Sequence, residues 1–580
     1  MAIQEPSPPD HRRVPAAGSA IGPSVPDPPY LRPMRTHVGS QLLIIAVAAL
    51  AFIPGLGSVH LFDWDEINFA EIAREMVVTG EWAQPRIDYL PFHEKPPLFI
   101  WMQAVSMSVF GVGEFAARLP NAVCGMLTLV VLFRIGSRLR GTLFGSLWSL
   151  AYFGSILPHL YFRSGIIDPW FNLFIFLGLD AMIAVVREER PPATGHATRH
   201  AMRAGLYLGL AVMTKGPVGI LIPGLVAIVF WVRSRFMRLA AARSIGTAAA
   251  VLLITIGVWA VVDLIRNGPE FITGFFWRQV AMLTTEDAGH GGFFGYHFVV
   301  LLVGCFPASA FALQELIRPT RSEEPLQQEH RRWMVILFWV VLILFSLVRT
   351  KIVHYSSLCY FPLTYLAALR LERIWRDREA FGWSRFVVGI LGTFIAVVFI
   401  AVPFLGMRID KLKPLLAKDP FAQANLDADV SWTGTESVAG LLLIGVLIAA
   451  HVLHARGRVR RSAAVLFGGT ALFITTTLYF FINRIEGYSQ RAAVVFFEAR
   501  QGENCYVITK DHKSYAQLFY TRKPPVMDPR AHDEHWLLYG DIDRPVYVVC
   551  KITRAQEVAG IGTLHEIGRS NGFVFFKRTP

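Results

Sequence analysis

The stretch QLLIIAVAALAFIPGLGSVHLFDWDEINFAEIAREMVVTG (41–80) joins two kinds of sequence. Residues 41–56 are apolar almost throughout, and a helix needs about 20 mostly apolar residues to cross a bilayer. The remainder carries Asp63, Asp65, Glu66, Glu71 and Glu75, with Ile67, Ala70, Ile72, Ala73, Met76 and Val77 at helical spacing. The first part reads as a transmembrane helix, and the second as an amphipathic helix lying in the membrane interface.

Outward from this stretch the apolar pattern recurs, in GILGTFIAVVFIAVPFLG (389–406) and GLLLIGVLIAAHVL (440–453) among others. The chain has 580 residues, 53% apolar and 17% charged, with a mean hydropathy of +0.43. A soluble domain has roughly a quarter of its residues charged. That composition excludes disorder and points to a polytopic α-helical membrane protein. Spans are expected near 41–58, 116–136, 142–160, 169–186, 203–215, 217–232, 244–264, 294–316, 333–349, 355–370, 386–405, 437–455 and 463–482, thirteen helices in all. Residues 1–39, proline-rich and without an apolar run, are expected to be a disordered cytoplasmic tail. The first apolar run lies too far from the N-terminus for a signal peptide.

The net charge of +13 and pI of 9.6 do not imply nucleic acid, because Lys and Arg concentrate on the cytoplasmic side of membrane proteins. Arginine clusters at 134–140, 233–243, 370–378 and 456–461 mark that side. The opposite side then receives the loop 59–115 and everything after 483. The loop is acidic, with nine Asp or Glu against four Lys or Arg over 59–118. Its second helical pattern, 97–110, is also expected to lie in the interface, so that the two helices roof an opening between spans.

Residues 484–580 change character. The runs CYVITK (505–510), RPVYVVCKI (544–552) and GFVFFKR (572–578) read as strands and KSYAQLFYTR (513–522) as a helix. A small α/β domain is expected there, outside the cytoplasm and dependent on the membrane part for its core. The domain division is therefore 1–39, 40–483 and 484–580. None of the five cysteines has CxxC spacing, so neither a cysteine zinc site nor a redox motif is indicated. For Cys505 and Cys550 a disulfide and two buried thiols are both open.

Ionisable groups at one membrane face are functional candidates. Asp63, Asp65 and Glu66 follow the first span, and read equally as cap or loop carboxylates. Glu94 and Lys95 precede Pro96-Pro97, whose plain role is to stiffen the entry to a helix. Asp168 before Pro169 has the form of an N-cap. TKGP (214–217) reads as a helix break with Lys215 near the outer surface, and a phosphate contact is the alternative.

In this order the residues form a pattern. DWDEINFAEIAREMVVTGEW (63–82), FHEKPPLFIW (92–101), GVGEFAARLPNAV (111–123), RSGIIDPW (163–170), VMTKGPVGILIPG (212–224), HGGFF (290–294) and KIVHYSSLCYFPLTYLAAL (351–369) resemble the bacterial GT-C glycosyltransferases of the lipid A aminoarabinose transferase and protein mannosyltransferase-related family. The resemblance implies transfer of a sugar from a polyprenyl phosphate, such as undecaprenyl phosphate, to a lipid A, glycan or protein acceptor at the periplasmic face of the bacterial inner membrane. It places the catalytic carboxylates on Asp65, with Glu66 beside it, and Asp168. It places a donor-phosphate lysine on Lys95, and a carrier-phosphate pocket on Lys351, His354 and Tyr355. Glu94 and His290 fall on positions that hold a divalent metal, zinc, in a relative. One position departs: Asn68 stands where lipid A-modifying relatives commonly have arginine. An asparagine cannot grip phosphate with two parallel donors as a guanidinium does, and Lys351 or Arg278 is the expected replacement for that charge. A transporter or flippase of a lipid-linked sugar is the alternative from another class. It would show internal repeats or paired broken helices, and the sequence shows no repeat. A protein O-mannosyltransferase and a non-catalytic scaffold are the other readings.

Overall fold

The structure is a computed structural model, and it describes residues 37–190, 195–237, 239–284, 292–319, 324–525 and 528–580. The expected N-terminal tail, 1–39, lies outside the described residues except for 37–39.

The chain runs α1 (Val38–Phe52), α2 (Asp65–Thr79), a small hairpin β1 (Arg86–Ile87) and β2 (Leu90–Pro91), α3 (Leu98–Phe110), α4 (Glu114–Arg140) and α5 (Thr142–Phe153). It continues through α6 (Asp168–Glu188), α7 (Ala197–Lys215), α8 (Val218–Arg233), α9 (Ala242–Asn267), α10 (Glu270–Thr284), α11 (Tyr296–Gly304) and α12 (Ala308–Ile317). Then come α13 (Pro325–Leu347), α14 (Tyr360–Arg376), α15 (Ser384–Gly406), α16 (Val438–Ala455) and α17 (Val459–Gly487). The C-terminal region holds α18 (Arg491–Glu498), β3 (Tyr506–Lys510), α19 (Ala516–Tyr520), β4 (Val546–Lys551), β5 (His565–Ser570) and β6 (Phe573–Arg578).

Each expected span overlaps a helix, although the one at 41–58 ends at Phe52 and the one at 142–160 is interrupted between Phe153 and Ile156. Among the described residues seven helices are each long and apolar enough to cross a membrane: α4, α6, α9, α13, α15, α16 with its leading turn, and α17. The expected continuous span at 294–316 is instead broken into α11 and α12, which meet at 118°. Pro307, immediately before α12, has no amide hydrogen to continue the ladder of α11. Close approach in the bundle is set by small residues. At the α4–α5 crossing a Cβ on Gly136 would sit 2.7 Å from the Cα of Gly145, so only hydrogen fits there.

The acidic helix α2 is covered by protein. Its residues from Glu66 to Met76 are all buried, charged ones included. Arg74 pairs with Glu71 through Nε and Nη2 at 2.7 and 2.6 Å and donates to the carbonyl of Lys523 at 3.0 Å. The polar face of α2 is thus turned toward the C-terminal domain, which Arg74 joins through the Lys523 carbonyl. By contrast α3 leaves Val105, Val109 and Phe110 exposed.

The C-terminal strands form one sheet in the order β3-β4-β6-β5, with β3 and β4 parallel and the other pairs antiparallel. Alternation along the strands sends side chains to opposite faces. Val548, Cys550, Val574 and Phe576 pack into the domain's own core. Val549, Phe573 and Phe575 instead join a cluster with Ile67, Ala70, Phe99 and Met107 of the outer loop. The domain therefore shares its second core with the loop, as its small apolar mass requires. Both Cys505 and Cys550 are free thiols. The β3–β4 register sets Lys510 opposite Cys550, so Cys505 lies about five residues, or roughly 16 Å, down the strand, beyond disulfide reach.

Candidate active site

A cavity of about 1080 Å³ opens between the bundle and the acidic loop. The start of α2, the Glu94–Lys95 turn, the start of α6, the α7–α8 junction, the segment after α13, and the end of α17 all contribute to its wall. Its floor is apolar, with Phe171, Ile222, Phe345 and Leu358. Its upper rim is charged.

The charged rim is organised around two aspartates. His354 Nε2 stands 3.4 Å from Asp65 Oδ2 and 3.7 Å from Asp168 Oδ2. Lys215 Nζ pairs with Asp168 Oδ1 at 2.7 Å and lies 5.4 Å from the centre of the Tyr355 ring. Lys215 is the last residue of α7, and Gly216 follows at φ +92°, where a Cβ would meet the Phe275 ring at 2.5 Å. The TKGP sequence is thus the helix break expected of it, and it aims a lysine into the cavity. The N-cap reading of Asp168 does not hold: its carboxylate makes no cap hydrogen bond and is turned to Lys215 instead. Pro169 starts the helix without one.

Asp65 is enclosed. Burial pushes its carboxyl up, but His354, Lys215 and Lys95 outweigh burial and hold it below the usual carboxylate range. Burial lowers the Lys95 ammonium, an effect that Lys215 and Arg278 reinforce and Glu94 and Asp65 oppose. Lys95 lines the cavity and makes no hydrogen bond or ion pair with any described residue. Its Nζ donors are left open among the described residues.

Four expected site residues are placed otherwise. Glu66 is not available for catalysis. Arg118 grips it at 2.8 and 3.1 Å, and the amides of Phe62 and Gly165 donate to its two oxygens. Burial alone would raise this carboxyl; Arg118 and the two amides bring it below its ordinary value. Lys351 is not in the cavity wall. Its Nζ donates to the carbonyls of Phe345, Ser346 and Val348, closing the C-terminal end of α13, whose last carbonyls lack intrahelical partners. Asn68 lies one turn along α2 from Asp65, buried and away from the cavity. Arg278 does not line the cavity either, but pairs with Glu94 at 2.9 Å on its edge.

That last pair bears on the metal. Glu94 is held by a guanidinium, and His290 lies outside the described residues. Among the described residues no group of three or more His, Cys, Asp or Glu side chains is placed to hold an ion, whereas zinc takes three or four protein ligands. The described residues supply only Glu94 of the expected pair of ligands, and the chemistry below is carried by side chains alone.

Two contributions had no signal in the sequence. Arg118, in α4, fixes the start of α2 by donating to the carbonyls of Leu56, Val59 and His60 as well as to Glu66. Lys513 reaches the cavity from the C-terminal domain, with Nζ 4.6 Å from the centre of the Trp64 ring. Beside it Ser514 donates to the Asp63 carboxylate.

A family model described as dolichyl-phosphate-mannose-protein mannosyltransferase matches residues 94–261. Among curated relatives, the undecaprenyl phosphate-α-4-amino-4-deoxy-L-arabinose arabinosyl transferase 1 of Sodalis glossinidius is 29% identical over 343 residues, covering 58% of this chain and 59% of that protein. The corresponding transferase of Edwardsiella ictaluri is 27% identical over 449 residues, 76% of this chain and 77% of that protein. The chain thus spans about three fifths of the length of the Sodalis protein and of others like it. The crystal structure of ArnT from Cupriavidus metallidurans bound to undecaprenyl phosphate superposes with a TM-score of 0.72 at 22% identity, over 93% of this chain and 98% of that one.

Proposed function

From a GT-C-fold membrane protein related to the undecaprenyl-phosphate aminoarabinose transferases, we propose a glycosyltransferase that moves a sugar from a polyprenyl-phosphate carrier to an acceptor on the extracytoplasmic face of the inner membrane. The acceptor is lipid A, another envelope glycan or a protein. The observation that carries this reading is one cavity that brings Asp65, paired with His354, together with Lys95, which has no partner among the described residues, over an apolar lining. We propose thirteen spans, with the C-terminal domain and the cavity on the same, outer side.

In this reading the carrier phosphate is held at Lys95, with Lys215 and Tyr355 behind it. The bond between the anomeric carbon and the carrier-phosphate oxygen breaks, leaving the polyprenyl phosphate with the electron pair. A new bond forms from that carbon to the acceptor oxygen. Lysine charge aimed at the leaving oxygen stabilises what develops in the transition state. Where the acceptor is a hydroxyl, Asp65 takes its proton or orients it; where it is a phosphate, it is already anionic and needs no base. Asp168 keeps Lys215 in place, and His354 holds the two aspartates in register.

Mass spectrometry of lipid A, carrier lipids and envelope proteins tests this, comparing cells that have the gene, lack it, or carry Asp65→Ala. The expected outcome is a hexosyl or pentosyl modification that disappears alike in the deletion and in Asp65→Ala, with the variant still present in the membrane. Profiles unchanged by deletion overturn the transferase and leave transport of the lipid-linked sugar; a fully active Asp65→Ala overturns the site.

A further inference from the structure

A second concavity, of about 620 Å³, lies between α8 and α13. One face of α8 builds it from Leu225 and Val229, and α13 from Ile336, Trp339 and Ile343. The α8 wall continues the apolar lining of the active-site cavity, since Val218 and Ile222 precede Leu225 and Val229 on the same face of that helix. The trench ends, on the side of the molecule away from Asp65, at Arg233, Arg331 and Arg332. Arg331 is engaged with Glu315, Nε to Oε1 at 3.4 Å. Arg233 and Arg332 are exposed and make no hydrogen bond or ion pair with any described residue.

We propose that this groove binds an anionic phospholipid from the leaflet opposite the active site, its phosphate between Arg233 and Arg332 and an acyl chain along Val229, Ile336 and Trp339. Cationic residues on the cytoplasmic side are ordinary in a membrane protein. Here, however, two of them lack partners among the described residues and close the end of an apolar trench. The arrangement matches a lipid in both halves, since basic pockets between transmembrane helices take anionic head groups and guanidinium grips phosphate with paired donors. Position selects the source. A tail descending from the active-site cavity would bring only hydrocarbon to the arginines, whereas a lipid of the opposite leaflet brings its phosphate. The inference does not depend on the transferase reading.

Native mass spectrometry of the purified full-length protein, with phosphatidylglycerol or phosphatidylcholine added in mixed micelles, tests it. Phosphatidylglycerol is expected to be retained more strongly, on the order of tenfold, from two arginines near a membrane surface. The double substitution R233Q/R332Q should remove that preference and R233K/R332K retain part of it. Leu225→Trp, which fills the groove and leaves the arginines, should lower retention as well and keeps the test open if the double variant misfolds. Equal retention of the two lipids, or a preference that survives R233Q/R332Q, overturns the site. So does equal thermal stabilisation by inorganic phosphate, which would make it a site for the free ion. Loss of bound undecaprenyl phosphate together with phosphatidylglycerol in R233Q/R332Q would assign the groove to the carrier and also overturn it.

Discussion

His354 stands between two carboxylates, 3.4 Å from Asp65 and 3.7 Å from Asp168, and its contribution is legible in pH. Burial pushes the Asp65 carboxyl up, and His354 provides the largest opposing pull, so the carboxyl sits below its ordinary value of about 3.9. A carboxyl lowered by the fold contributes stability that is present above the ordinary value and lost as pH falls through the lowered one. The acid limb of transfer should therefore lie below about pH 4. His354→Gln removes the pull and leaves the burial, so the limb should move toward neutral in a profile of kcat/KM against pH; an unmoved limb would separate His354 from Asp65. Arg118 and Glu66 test a different role. Both side chains are almost fully buried, and breaking such a pair costs on the order of 3–5 kcal/mol. Arg118→Met should lower the thermal midpoint sharply, and the double variant with Glu66→Gln should recover part of the loss, because no unpaired charge then stays buried.

Among the elements, α13 shows how a site lysine and a structural lysine are told apart. Lys351 follows the helix and gathers three of its terminal carbonyls. Lys95, in the turn before α3, gathers nothing among the described residues. Lys351→Met should cost about 1–3 kcal/mol of stability, from carbonyls left without donors, with little change in KM for the donor. Lys95→Met should do the reverse, raising that KM roughly ten- to a hundredfold as a charge-assisted phosphate contact is lost, with the melting temperature unchanged. Sequence spacing could not separate them: each is a lysine beside an apolar segment on the same face. The turn at Gly216 was legible, because TKGP states a helix break locally.

At the scale of the whole molecule, the C-terminal domain completes the outer loop. Phe573 and Phe575 share a core with Ile67 and Phe99, the Leu61 amide donates to the Tyr520 hydroxyl at 2.6 Å, and Lys513 enters the cavity wall. A chain ending at Gln490 would expose the buried face of α2 and leave Arg74 and Glu71 open to water. Size-exclusion chromatography in detergent should show it aggregated and assays should show it inactive. A monodisperse, active truncated chain would mean that the domain is an appendage.

The spans, the acidic loop, the strand-forming tail and the resemblance were set by local pattern, because hydropathy and residue order are properties of neighbouring residues and survive without coordinates. Asp65, Asp168, Lys95, His354 and Tyr355 were found in that way, and all line one cavity. The partners of these charges were decided only by packing. Glu66 and Arg118 are separated by 52 residues, Lys215 and Asp168 by 47, and Asp63 and Ser514 by 451. A carboxylate in sequence is the same whether it faces substrate or a buried guanidinium, and the choice between acid, ligand and strut was made where the helices met.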